Sequence, residues 1–104
     1  MSVGMIGSGL MIRGELRGQE DLIIEGTVEG TITMEKSLTI EEGGKIRANI
    51  ETENITVRGE VEGDLVARNK ITIHQGARIT GDMKAPRIEI EDGAYYKGNV
   101  SMGE

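Results

Sequence analysis

The chain contains no cysteine, no tryptophan and no phenylalanine. Without Cys there is neither a disulfide framework nor a thiolate-ligated zinc. Tyr95 and Tyr96 are the only rings, so a core built on large aromatics is excluded. Proline occurs once, at Pro86. No apolar run approaches the ~18 residues of a membrane-spanning helix. The opening MSVGMIGSGLM lacks the basic stretch of a secretory leader. Positive charge is also short: the net charge is -6. Residues 1–66 hold thirteen acids and six bases, whereas residues 67–104 hold five acids and six bases. An acidic chain without aromatic platforms does not suit nucleic acid, and the acidity reads as a solvated surface.

What remains is aliphatic residues and 16 glycines. β-Branched residues with scattered Gly predict strands and tight bends. The stretch LIIEGTVEGTI, Leu22 to Ile32, returns 33 residues later as ITVRGEVEGDL, Ile55 to Leu65. Shorter echoes lie between and beyond. The pairs Leu22/Ile24, Leu38/Ile40, Ile55/Val57, Ile71/Ile73 and Ile88/Ile90 start 16, 17, 16 and 17 residues apart. Val28, Ile46, Val61, Ile79 and Tyr96 form a second series, and Ile32, Ile50, Leu65, Met83 and Val100 a third. Within each unit the apolar period is two, which is a strand signal.

A unit of 16–17 residues with three apolar groups predicts three short faces joined by bends. Stacking such units sets each residue over its equivalent and pairs the strands in parallel. The expected fold is therefore all-β, a single parallel β-helix of about six coils. Five coils fall at 22–37, 38–54, 55–70, 71–87 and 88–104. An abbreviated one begins at LMIRGELRG, 10–18. The domain is placed at residues 10–104 and residues 1–9 are expected as a short tail. The third, fifth and sixth coils carry two extra residues at one bend, in EEGGKI, HQGARI and EDGAYY.

A solenoid has two ends with nothing stacked on them. They expose aliphatic side chains and unpaired backbone groups unless something caps them. No cap is apparent. Leu10, Ile12 and Leu16 mark one end, and Ile88, Ile90, Tyr96, Val100 and Met102 the other. These are the candidate polymerisation residues. Tyr96 reads either as simple packing or as an aromatic plug at the contact.

Signals for chemistry are weak. His74 stands alone in a bend, without Cys or clustered carboxylates. Glu41/Glu42 and Glu91/Asp92 are adjacent acids in equivalent bends, not an opposed pair across a cleft. The glycines of GSG, 7–9, and EGG, 42–44, are not followed by Lys-Ser/Thr and a helix, as a phosphate loop requires. No catalytic residue, metal or cofactor is expected. Met1, Val3, Met5 and Ile6 are candidates for a membrane contact, with no basic residue before Arg13 to assist it.

The segments IGSGLMIRGEL, LIIEGTVEGTI, ITVRGEVEGDLVA, ITIHQGARITGDM and IEIEDGAYYKGNVSM resemble a bactofilin, from about Gly7 to Met102. The resemblance implies a right-handed triangular β-helix that polymerises end to end without nucleotide into non-polar filaments, bundles or sheets. It implies a bacterial cytoskeletal scaffold in the cytoplasm, at the inner face of the membrane. Such a scaffold would serve cell-shape, cell-wall or polar machinery and bind cell-wall synthesis proteins. It places Tyr96, where phenylalanine is common, in a terminal contact surface. Two other readings compete. One is a left-handed hexapeptide-type acyltransferase, whose coil needs about eighteen residues. The other is a monomeric β-helix binding module.

Overall fold

The computed structural model describes residues 3–102, and among these there are thirteen strands and no helix. The first coil holds β1 (Val3–Ile6) and β2 (Met11–Gly18). The second holds β3 (Asp21–Ile24) and β4 (Thr27–Met34). β5 (Ser37–Ile40) and the first part of β6 (Lys45–Val57) make the third. The end of β6, β7 (Glu60–Glu62) and the start of β8 (Leu65–Ile73) make the fourth. The rest of β8, β9 (Arg78–Thr80) and β10 (Met83–Ala85) complete the fifth. β11 (Arg87–Ile90), β12 (Tyr95–Lys97) and β13 (Val100–Met102) form the sixth.

Every strand pairing is parallel and joins one coil to the next. The first face stacks β1, β3, β5, the end of β6, the end of β8, and β11. The second stacks the start of β2, the start of β4, then β6, β7, β9 and β12. The third stacks the remaining halves of β2, β4 and β6, then the start of β8, β10 and β13.

The inward columns are the three sequence series. Leu22, Leu38, Ile55, Ile71 and Ile88 lie in register on the first face. Ile12, Val28, Ile46, Val61, Ile79 and Tyr96 do so on the second. Leu16, Ile32, Ile50, Leu65, Met83 and Val100 do so on the third. The core is thus a column of aliphatic side chains, buried from the second coil to the fifth except for the half-buried Leu22. Phe and Trp have no place in it, since each layer offers only the width of a few branched side chains. The Cα extents are 30 × 25 × 23 Å, the longest being close to six coils at ~4.8 Å each.

The helix begins earlier than the expected boundary at Leu10. Residues Val3–Ile6, expected within a tail, form β1 in register on β3. Ile6 is 6% exposed and belongs to the core. Gly4 hides this strand in the sequence because it faces inward without a side chain. Leu22 fills the space: a Cβ on Gly4 would lie 3.1 Å from Leu22 Cδ1.

The corner between the first and second faces has two forms. In the first, third, fifth and sixth coils a four-residue turn crosses it, at 7–10, 41–44, 74–77 and 91–94. The fourth residue's N–H donates to the first residue's carbonyl in each, as Gly44 N to Glu41 O at 3.0 Å. The third residue is Gly9, Gly43, Gly76 or Gly93, with φ between 87 and 92°, the left-handed region a type II turn requires. The second and fourth coils cross the corner through Gly26 and Gly59, which sit flush against those turns. A Cβ on Gly59 would lie 2.5 Å from Gly44 O and 2.7 Å from Glu41 O. Only glycine lets the short corner nest under the long one.

Candidate assembly surfaces

The sixth coil repeats the inward pattern of the fifth, but nothing among the described residues stacks on it. In the fifth coil Ile71, Ile73, Ala77, Ile79 and Met83 are buried. Their equivalents Ile88, Ala94 and Val100 are half-buried, Ile90 is 39% exposed and Tyr96 44%. The difference comes from position alone, since the register is unbroken. The structure therefore brings Ile88, Ile90, Tyr96 and Val100 together on one cross-section, with Ala94 added to the residues expected there. The side chain of Met102 lies outside the described residues.

At the opposite end Ile12 and Leu16 are half-buried and Leu10 is 56% exposed. Leu10 closes the first long turn. At the corresponding place the third, fifth and sixth coils carry Gly44, Ala77 and Ala94, because only a small residue fits between layers. A leucine is accommodated because no coil lies beyond it among the described residues. Both ends also carry the unpaired N–H and C=O groups of outermost strands, which can pair with another chain.

Of the membrane candidates, Met1 and the side chain of Val3 lie outside the described residues. Met5 is 61% exposed. Ile6 is not available, being packed in the core. No described helix is long and apolar enough to cross a membrane.

His74 and Glu91 meet across the fifth and sixth coils. His74 Nδ1 lies 3.1 Å from Glu91 Oε2, and the Gln75 N–H donates to Glu91 Oε1 at 3.1 Å. Glu41 accepts from Arg58 Nη1 at 3.4 Å in the equivalent turn two coils earlier. The turn carboxylates thus hold neighbouring coils together. The Gln75 N–H, with the His74 ring, keeps the Glu91 carboxyl below its ordinary value of 4.5. A lowered carboxyl stabilises the folded state above the ordinary value, and that contribution is lost as pH falls through the lowered one. Glu91→Gln should therefore lower the melting temperature at pH 6, and the gap from the parent should narrow as pH falls below 4.5. A gap of constant size across that range would deny the carboxylate this role.

Sequence reading did not find the polar ladder at the corner that opens the first face. The Ser37 N–H donates to Asp21 Oδ1 (3.1 Å), Asn54 Nδ2 to Ser37 Oγ (3.3 Å), and Asn69 Nδ2 to Asn54 Oδ1 (2.8 Å). These residues are 15 to 17 positions apart, and only aligning the coils brings them into one row.

Among the described residues, the chain is a β-solenoid whose end coils present aliphatic cross-sections and strand edges. The chain belongs to the bactofilins: it matches that family, described as polymer-forming cytoskeletal, over residues 4–101. It is 61% identical to bactofilin BacN of Myxococcus xanthus (strain DK1622) over 99 residues, 95% of this chain and 88% of that one. It is 48% identical to BacO of the same organism over 102 residues, 98% of this chain and 81% of that one. The structure of the cytoskeletal bactofilin BacA, from solid-state NMR, superposes with a TM-score of 0.88 at 24% identity, covering 98% of this chain and 97% of that one. The β-solenoid expected from the repeat is thus the fold observed, in about six turns.

Proposed function

We propose that this bactofilin polymerises end to end through its terminal coils, without nucleotide, and that the filaments are a scaffold. Leu10, Ile12 and Leu16 form one contact, and Ile88, Ile90, Tyr96 and Val100 the other. The exposure of Ile90 and Tyr96, against the full burial of Ile73 and Ile79 one coil inside, is the observation that carries this reading. Covering such a cross-section gains ~25 cal/mol per Å² of apolar surface.

Charge disfavours head-to-tail joining along one column of the second face. The outward column of the second face runs Arg13, Glu29, Arg47, Glu62, Thr80, Lys97. Within the rod Arg13 pairs with Glu29 and Arg47 with Glu62, each at 3.3 Å. Continuing the helix head to tail would set Lys97 beside Arg13 of the next rod, a like-charge step that the column otherwise avoids. Joining like ends gives a non-polar filament.

The scaffold is assigned to the cytoplasm, at the inner face of the membrane, serving cell-shape, cell-wall or polar machinery. Cell-wall synthesis proteins are its proposed clients. Met5 is the exposed group available for a weak membrane contact. No enzymatic role is assigned: His74 is engaged with a turn carboxylate and faces no opposed acid. Negative-stain electron microscopy of the purified protein, with no nucleotide or metal added, tests the reading. Straight filaments ~2–3 nm across are expected from the rod's cross-section of 25 × 23 Å. Discrete particles at high concentration would overturn it in favour of a monomeric binding module.

A further inference from the structure

The first face differs from the other two in what it turns outward. One column holds Asp21, Ser37, Asn54, Lys70 and Arg87. The other runs Met5, Ile23, Thr39, Thr56, Thr72 and Glu89. From the second coil to the fifth this second column is neutral and half-buried: Ile23, Thr39, Thr56, Thr72. By contrast the second face is crossed by ion pairs, Arg13–Glu29 and Arg47–Glu62 at 3.3 Å and Arg78–Glu60 at 3.9 Å. The third carries Glu15, Arg17, Glu51 and Lys84. The charges of the first face, Asp21, Lys70, Arg87 and Glu89, lie toward its two ends, with Lys70 paired to Glu89 at 2.7 Å, and leave its middle neutral. Asp21, Ser37 and Asn54 of this face already bond within the rod, through the ladder from Asp21 to Asn69. Covering them forfeits few bonds to water.

We propose that this face is the lateral contact between rods, and that its occupant is a second copy of this chain, docked antiparallel. The proposal rests on the end-to-end reading above. Its charges are placed for it: Asp21 lies on the second coil and Lys70 on the fifth. Take a two-fold axis in the contact plane, running along the strands between the third and fourth coils. It sets Asp21 of one copy against Lys70 of its neighbour, Ser37 against Asn54, Thr39 against Thr56, and Ile23 against Thr72. Each contact is made twice, as a two-fold interface requires. Lys70 also holds Glu89 at 2.7 Å, and an ammonium keeps two further donors. Parallel docking instead exchanges the two columns, placing Asp21 against Ile23 and Lys70 against Thr72; it leaves Asp21 and Lys70 unmatched, and its one opposite-charge match, Arg87 with Glu89, lies on the sixth coil where Glu89 already holds Lys70.

The size of the face says when this contact forms. Four-residue strands span ~13 Å, and with a rod length of 30 Å each copy covers ~400 Å². The ~800 Å² total falls short of the ~1,200 Å² of a stable isolated complex. Single rods therefore stay apart. Rods already joined in line zip together, because each further contact is intramolecular in effect. Like-ended filaments alternate rod direction, so two of them offset by one rod present antiparallel neighbours along their whole length.

Electron microscopy of the full chain and its variants tests this. Parent filaments should lie in pairs or ribbons. Thr56→Lys and Thr39→Lys should each give single filaments of unchanged length, with melting temperatures within a few degrees of the parent. Thr80→Lys, on the second face, should keep the ribbons. The exchange Asp21→Lys with Lys70→Asp should restore ribbons that Lys70→Asp alone loses. Ribbons that persist in both threonine variants, or parent filaments that never associate, overturn the lateral contact while leaving end-to-end assembly standing. Absence of any filament from the parent overturns both.

Discussion

Tyr96→Arg should abolish filaments and leave the rod folded. Tyr96 continues the column of Ile79 but stands 44% exposed at the end of the second face. In a free rod an arginine there keeps its guanidinium in water, and the far-UV spectrum and melting temperature should stay near the parent's. In a joined rod that charge would be covered without a partner, at a cost of several kcal/mol. Each 1.4 kcal/mol is tenfold in affinity, so the concentration needed for assembly should rise at least ~100-fold. Sedimentation should show a monomer where the parent pellets. Tyr96→Phe should still assemble, since it keeps the ring and loses only the hydroxyl. Filaments of unchanged abundance from Tyr96→Arg would remove Tyr96 from the contact.

Val61→Asp should act on the rod itself. Val61 is 1% exposed, stacked between Ile46 and Ile79. The change loses ~1.5–3 kcal/mol of apolar burial and leaves a carboxylate among aliphatic side chains, at ~3–5 kcal/mol. The sum matches the lower part of the 5–15 kcal/mol typical of a whole domain. The variant should show no cooperative thermal transition, or one lowered by more than ~20 °C. A soluble protein melting like the parent would contradict the inward assignment of Val61. The two substitutions are complementary, because one strikes the column at its middle and the other at its end.

The columns were legible because each coil repeats the same inward spacing, so Ile46 announces Val61 and Val61 announces Ile79. β1 was not. Gly4 and Ile6 keep the period of two, but only Ile6 is apolar, and the missing volume is supplied by Leu22 from the next coil. The Asp21–Ser37–Asn54–Asn69 ladder was hidden for a related reason. Its bonds run between residues 15 to 17 apart, and no local propensity records them. The end surfaces were legible in part. The sequence marked Leu10, Ile12, Leu16, Ile88, Ile90, Tyr96 and Val100 as terminal members of columns, and the structure sets those of each end on one cross-section. It adds Ala94 and withdraws Ile6 from the surface. Both are matters of packing between layers, which the alternation along a strand does not report.

The long and short corners have a consequence for misfolding. A chain of near-identical coils risks stacking on the wrong neighbour, within itself or by exchange with another copy. Displacement by one coil would stack long turn on long turn and short corner on short corner, an arrangement that the alternating first five coils never use and that loses the nesting of Gly26 and Gly59. Displacement by two coils, 33 residues, meets no such obstacle in the middle of the rod, because the corners alternate with that period through the first five coils. That is the spacing at which LIIEGTVEGTI and ITVRGEVEGDL echo each other. The fifth and sixth coils break the alternation, with long turns at both 74–77 and 91–94 and with Pro86 between them. They give the chain an absolute origin that its interior lacks. Swapped or kinetically trapped species should therefore be offset by two coils, and the last two coils are where such errors are corrected.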